Sequence, residues 1–302
     1  MNLPSWLKFL HLGYPSANLI LTTAGERVLF DTGFASDAAR VRAALQGHSL
    51  DMIVNTHGHS DHVGSNGWLQ QDGGIPIAAA DAGETPGLSR WLDQPVPPYH
   101  VDRVLRPGDV VAAGPAEWQV LATPGHTPGH LSFHEPESRV LILGDVLQTE
   151  DVGWINLPLD GLAAIDAALR TVEELSRLPV KVALPGHGPA IDDWPRAVER
   201  ARTRYERMRA CPEQAAWHAC KRILAFALMM RGGIPLATAH AHLASRPWLQ
   251  DHARLVFHTS AERLATDLVD ELRRSAGAFE RQGMLLCRTP HHPPDAAWLE
   301  QP

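Results

Sequence analysis

The segment Thr56-His57-Gly58-His59-Ser60-Asp61-His62 follows directly on the apolar run Asp51–Val54. A tight turn leaving a strand points alternate side chains into one cavity, so His57 and His59 can share a metal ion while Asp61 and His62 reach a second. A lone histidine is usually a solvent-exposed or satisfied core residue. Four potential ligands within six residues weaken that reading sharply.

Later segments supply the same ligand types at the ends of further apolar runs. His126 lies in Thr123-Pro124-Gly125-His126-Thr127-Pro128-Gly129-His130, Asp145 in Leu143-Gly144-Asp145, and His187 in Pro185-Gly186-His187-Gly188. The flanking glycines let the backbone turn closely around a bound ion. Each segment alone is an ordinary turn; their order makes them specific.

Working outward, short runs rich in Val, Ile and Leu recur at Asn18–Thr22, Arg27–Phe30, Asp51–Val54, Ile75–Ala79, Trp118–Ala122, Arg139–Leu143 and Lys181–Leu184. Each leads into a Gly, Pro, Asp or His cluster, as buried strands feeding surface loops do. Helical period marks Ser36–Gln46 and Asp160–Leu178, with Asp160 placed to cap the second helix. Strands alternating with helices indicate an α/β domain. After Trp194 the pattern turns helical: an Arg-rich helix from Trp194, then Glu213–Met230, Leu236–Ser245 and Ser260–Ser275, separated by GGIP and RPW breakers, with a final helix, turn and short strand. The boundary is placed near Asp192–Pro195, giving domains 1–193 and 194–302.

In this order the motifs resemble the metallo-β-lactamase superfamily, over roughly residues 17 to 190: Asp31 in FDTG, the HxHxDH run, His126, Asp145 and His187. The resemblance implies an αββα sandwich with a dinuclear metal site at one edge. It implies that His57, His59 and His126 bind one ion, that Asp61, His62 and His187 bind the other, and that Asp145 bridges them. Asp31 would orient ligands by hydrogen bonding without coordinating. The C-terminal helices resemble the helical or winged-helix-like appendages of esterase and thioesterase relatives.

Neutral imidazole and carboxylate suit Zn²⁺, with Fe and Mn as alternatives. Two such ions about 3.5–4 Å apart hold a hydroxide at neutral pH and polarise a carbonyl or phosphoryl oxygen. The expectation is a metal-dependent hydrolase of an ester, thioester or lactone, with Asp61 or a water assisting proton transfer. His59 stands where the flavodiiron branch carries a carboxylate, which disfavours redox chemistry. No GxSxG elbow occurs, which disfavours a serine hydrolase, and no GxxxxGK[ST] phosphate loop is present.

The competing readings are a β-lactamase, a phosphodiesterase or nuclease, and a regulatory protein that keeps its metal without turnover. No signal peptide is recognised at the start and no run spans a bilayer, so a cytoplasmic chain with no membrane partner is expected, which counts against the first. Cys211, Cys220 and Cys287 make no disulfide framework or CxxC pair, in keeping with a reducing compartment. The net charge is −7, and residues through Asp193 carry eleven basic against twenty-three acidic side chains. That balance disfavours a nucleic-acid partner and leaves a small-molecule substrate.

Tyr14, Trp154 and Asn156 are candidate substrate contacts, with plain packing as the alternative for the aromatics. Gly83–His100, rich in proline, reads as a lid or a rigid surface loop. Arg196, Arg200, Arg202, Arg204, Arg207 and Arg209 make the first C-terminal helix basic, fit either to attract an anionic thioester carrier or, as the plainer reading, to lie solvated and salt-bridged. Of the seventeen histidines, His130 is read as packing or hydrogen bonding and His134 as structural.

Overall fold

Runs of β-branched and aliphatic residues interrupted by glycine and acid turns form the strands, and the computed structural model describes residues 3–80 and 85–299, with the side chains of residues 85 and 86 left aside. The first sheet sets β1 (Leu7–Leu10), β2 (Leu19–Thr22), β3 (Val28–Phe30), β4 (Met52–Val54), β5 (Ile77–Ala79) and β6 (Arg103–Val104) side by side in that order. The second contains β7 (Val110–Ala113), β8 (Ala116–Ala122), β9 (Leu131–Glu135), β10 (Val140–Gly144) and β11 (Val182–Pro185), also in sequence order. Strands β3 to β6 run parallel, as do β10 and β11.

Facing side chains of the two sheets interlock: Phe30 lies 5.5 Å from Trp118 and 5.2 Å from Phe133, ring centre to ring centre, and all three are fully buried. This aromatic trio is the anchor of the inter-sheet core. Helices α1 (Ala38–Ala44), α2 (Ser60–Val63) and α3 (Asn66–Gly73) follow strands of the first sheet, and Val41, Leu45 and Leu69 cover its outer face. After α4 (Thr85–Leu92) come α5 (Leu157–Asp160), α6 (Ala163–Ser176) and α7 (Trp194–Ala210). Ile165, Val172, Val198 and Tyr205 of α6 and α7 cover Leu141 and Leu143 on the outer face of the second sheet. The layers are therefore αββα.

The remaining chain is α8 (Pro212–Met230), β12 (Ile234–Pro235), α9 (Leu236–Ala244), α10 (Pro247–Asp251), a π turn at His252–Val256, α11 (Ala261–Arg274), β13 (Ala278–Arg281), β14 (Met284–Cys287) and α12 (Ala296–Leu299). Its sheet order β12-β14-β13, with helices between the first two strands, is a winged-helix arrangement. Apolar packing changes partner within α8: Ala216 joins the sandwich, whereas Cys220, Ile223 and Leu224 join the C-terminal cluster.

Local expectations are corrected in four places. Asp160 does not cap a long helix; it ends α5, and Gly161, at φ 65°, breaks the chain before α6. Pro247 in RPW opens α10 at a position where its missing N–H costs nothing. The C-terminal strand is a hairpin, with Ala278 paired to Cys287. Of Gly83–His100, Gly83 and Glu84 lie outside the described residues; the next part is α4, tied to the C-terminal helices by Trp91 Nε1 donating to Asp251 Oδ2 at 2.8 Å. No helix among the described residues is long and apolar enough to cross a membrane.

Candidate metal centre

The strands that carry the candidate ligands all end at one edge of the sandwich. Asp31 follows β3, the His57–His62 run follows β4, His126 follows β8, Asp145 follows β10 and His187 follows β11. Strand β9 is antiparallel to both β8 and β10, so β8, β10 and β11 point the same way. Backbone bonds join the sheets there: Leu131 N–H donates to Thr56 O at 2.8 Å and Asn18 N–H to Gly186 O at 2.6 Å.

All seven residues converge and are buried. One nitrogen each from His57, His59 and His126 lies within 4.8 Å of the others, as do atoms of the set His57, His62, Asp145 and of the set Asp61, His62, His187. His57 Nε2 is 3.0 Å and His126 Nε2 is 2.8 Å from His59 Nδ1. The other nitrogens of His57 and His126 are committed. His126 Nδ1 donates to Trp154 O at 2.7 Å, and His57 Nδ1 donates to Thr56 Oγ1 at 3.0 Å, whose own hydrogen goes to Asp31 Oδ2. Two acceptors thus face one nitrogen that can offer a single hydrogen, whereas a cation at the centre satisfies all three.

A second observation points the same way. His62 Nδ1 donates to Asp31 Oδ2 at 2.7 Å, and its Nε2 faces Asp145 Oδ1 at 3.4 Å, beyond good hydrogen-bond length. Both of these buried atoms lack a hydrogen-bond partner. Burial would depress the His62 pKa, but Asp145, Asp31 and Asp61 outweigh it and hold it well above the ordinary histidine value, so the surroundings favour positive charge at this point. Burial pushes His57 well below its usual value and His59 down to about 3, keeping these imidazoles neutral as ligands must be. Burial alone would raise Asp145, yet His187 and His62 hold its carboxyl well below the usual range; His62 and His187 also lower Asp61 against its burial. The donor set fits two divalent cations.

Asp31 is the hub behind the ligands. At φ 57° it adopts a left-handed turn, which Asp tolerates, and its carboxylate accepts from Thr56 N–H and Thr56 Oγ1, both at 2.8 Å, as well as from His62. His130 lies behind Asp145: its Nδ1 donates to Thr123 Oγ1 at 2.8 Å, and its Nε2 accepts from Asp145 N–H at 3.0 Å. Thr56 was legible only as the residue preceding the histidines; the carbonyl role of Trp154 carried no sequence signal.

Tyr14 stacks on His187 at 5.0 Å and Trp154 on His59 at 5.4 Å, so both aromatics flank the cluster. Asn156 is buried, and its Oδ1 accepts from Leu159 N–H as the cap of α5. The α7 arginines are largely paired. Arg200 meets Glu150, Arg202 meets Glu173 and Glu199, Arg204 meets Asp151, and Arg209 meets Asp166.

Residues 12–187 match the family model of the metallo-beta-lactamase superfamily. A hydroxyacylglutathione hydrolase of Brucella anthropi is 38% identical over 117 residues, 37% of this chain and 40% of that protein, and the Brucella ovis enzyme of the same name is 32% identical over 163 residues, 53% and 56%. The chain thus spans about half the length of these two relatives. A metallo-beta-lactamase family protein from Thermus thermophilus superposes with a TM-score of 0.56 at 23% identity, covering 95% of this chain and 100% of that one, a likeness of fold. The protein TTHA1623, solved in a di-iron-bound form, gives a TM-score of 0.52 at 29% identity over 64% of this chain and 96% of its own. With the motif order, the sandwich and the family match in agreement, the chain belongs to the metallo-beta-lactamase superfamily.

Proposed function

We propose that the chain is a dinuclear metal-dependent hydrolase of an ester, thioester or lactone carbonyl. The observation that carries this reading is the convergence of His57 Nε2, His59 Nδ1 and His126 Nε2 beside the unpartnered His62 Nε2 and Asp145 Oδ1. His57, His59 and His126 would hold one cation, Asp61, His62 and His187 the other, and Asp145 would stand between them, its Oδ2 being 3.6 Å from both His126 Nε2 and His187 Nε2. Zn²⁺ suits the set, and Fe or Mn remains compatible with it. When bound, such a pair supplies Lewis acidity toward a carbonyl oxygen and lowers the pKa of a water from 15.7 to about 7.

The chain's own residues provide the rest. Asp61, ionised at neutral pH and 3.0 Å from His187 Nε2, accepts and passes on a proton at its carboxylate. Tyr14 and Trp154 confine the acyl group from two sides. The hydroxyacylglutathione hydrolases among the relatives favour a thioester, and the three free cysteines suit a reducing, cytoplasmic setting.

The test is a panel of thioesters, lactones, aryl esters, nitrocefin and phosphodiesters, assayed with metal-verified protein. Turnover of carbonyl substrates is expected, with a loss of about 100-fold or more in His59→Ala and Asp145→Ala. Unchanged turnover in either variant refutes the assignment, and cleavage confined to nitrocefin or phosphodiesters replaces the substrate class.

A further inference from the structure

Residues 146–154 leave Asp145 and return across the metal centre. The return is tight. A Cβ on Gly153 would lie 2.1 Å from Asp145 O and 2.8 Å from His126 Cγ, so the backbone here is pressed against two candidate ligands. The next residue, Trp154, touches two imidazoles at once: its carbonyl accepts from His126 Nδ1 at 2.7 Å, and its indole stacks on His59, with planes 18° apart. The carbonyl fixes the tautomer that leaves His126 Nε2 facing inward. Placement of this loop therefore sets the three-histidine cluster.

Side chains of α7 and α8 hold the loop at both flanks. Tyr205 of α7, fully buried, donates its hydroxyl to Val146 O at 2.7 Å, one residue after Asp145. Arg222 of α8 donates Nη1 to Val152 O at 2.8 Å, two residues before Trp154. The loop closes on itself between these points, with an antiparallel bridge from Leu147 to Val152 and Gln148 N–H donating to Asp151 O at 2.8 Å. Asp151 meets Arg204 at 3.1 Å and Arg222 at 3.4 Å, and Val152 N–H donates to its Oδ1. Both anchors engage main-chain carbonyls and so fix backbone position, Arg222 meeting the Asp151 side chain as well.

Resting on the dinuclear reading above, we propose that Tyr205 and Arg222 are positioning residues of the metal centre. Through Val146 O and Val152 O they lock the loop that carries Asp145 and that orients His126 and His59 through Trp154. The C-terminal helices, on this account, complete the metal site from behind. The cationic head of Arg222 also becomes structural, in keeping with its bond to a carbonyl, and it is not needed as a free anion receptor.

The experiment compares the full chain with Arg222→Met, Arg222→Lys and Tyr205→Phe, and with Arg202→Met of α7 as a control whose ion pairs, with Glu173 and Glu199, do not touch the loop. The readouts are zinc affinity at each of two sites, by competition with a chromophoric chelator, and the visible absorption of the cobalt-loaded protein. The expected result is an affinity loss of about 10- to 100-fold at one of the two sites in Arg222→Met. The cobalt spectrum should change, Arg222→Lys should recover part of the loss, and Arg202→Met should match the wild type. Tyr205→Phe removes only a hydroxyl and decides the matter if Arg222→Met does not fold. Folded variants that keep both wild-type affinities and the wild-type spectrum overturn the inference, as does a loss in Arg202→Met equal to that in Arg222→Met. A wild-type chain that takes up no metal overturns the dinuclear reading itself, and the inference with it.

Discussion

Gly186→Ala tests how closely the backbone must approach the metal centre. The glycine is not in the left-handed region, so the issue is space: an added Cβ would lie 2.3 Å from Asp145 Oδ1 and 2.6 Å from His62 Cε1. Ordinary contact begins at 3.4 Å, so the carboxylate must give way by 3.4 − 2.3 = 1.1 Å or the backbone must retreat. Retreat is opposed on both sides, since Gly186 N–H donates to Gly144 O at 2.7 Å and Gly186 O accepts from Asn18 N–H at 2.6 Å. Metal–ligand distances tolerate about 0.2 Å, so a displacement of that size breaks coordination by one or both ligands. Overpacking should also cost about 1–3 kcal/mol of stability. The assay is metal content after gel filtration, with chemical unfolding of the metal-free protein measured alongside. The expected variant folds with a lower midpoint and retains at most one equivalent of zinc. Two tightly held equivalents at wild-type affinity would refute the reasoning.

Further outcomes follow from the same geometry. Asp31→Asn places an amide where three donors now point, and should weaken metal binding about 10-fold or more while costing about 2 kcal/mol of stability; isothermal titration and urea unfolding check both. Zinc at 100 times its Kd should stabilise the chain by about 2.7 kcal/mol for each site filled, an increment that a chelator abolishes, as a melting curve will show. His252, buried beneath Trp248 O, has a pKa lowered by burial from 6.5 to about 4. The unfolded chain binds the extra proton first as pH falls. This site's stabilisation is therefore complete above pH 6.5 and is lost toward pH 4, by about 2 kcal/mol between pH 7 and 5. In His252→Asn, urea midpoints at those two pH values should differ less than in the wild type; an identical difference would contradict the shift.

The seven interior strands named from sequence lie within or beside observed ones because buried parallel and sandwich strands are continuous apolar runs with a turn signal behind them. Strand β7 alternates exposed and buried residues and β6 is exposed, so neither formed such a run. Helix α4 was hidden by its threonine, proline and glycine start, and it is tied to the C-terminal helices through Trp91. The ligand set was readable because its residues have few other reasons to recur after successive strands. What holds the ligands was not. Trp154 acts on His126 through a carbonyl, which every residue possesses, and Arg222 is one arginine among many until its distance to Val152 O is known. The broken helix at Gly161 and the capping role of Asn156 were hidden by a competing cap signal at Asp160.

Anomalous diffraction at the zinc absorption edge, from crystals of the full chain prepared with zinc, tests the central claim most directly. Two peaks about 3.5–4 Å apart are expected, one bound by His57, His59 and His126, the other by Asp61, His62 and His187, with Asp145 touching both. A zinc-rich crystal with no peak among these side chains, or with the ions bound elsewhere, would contradict it.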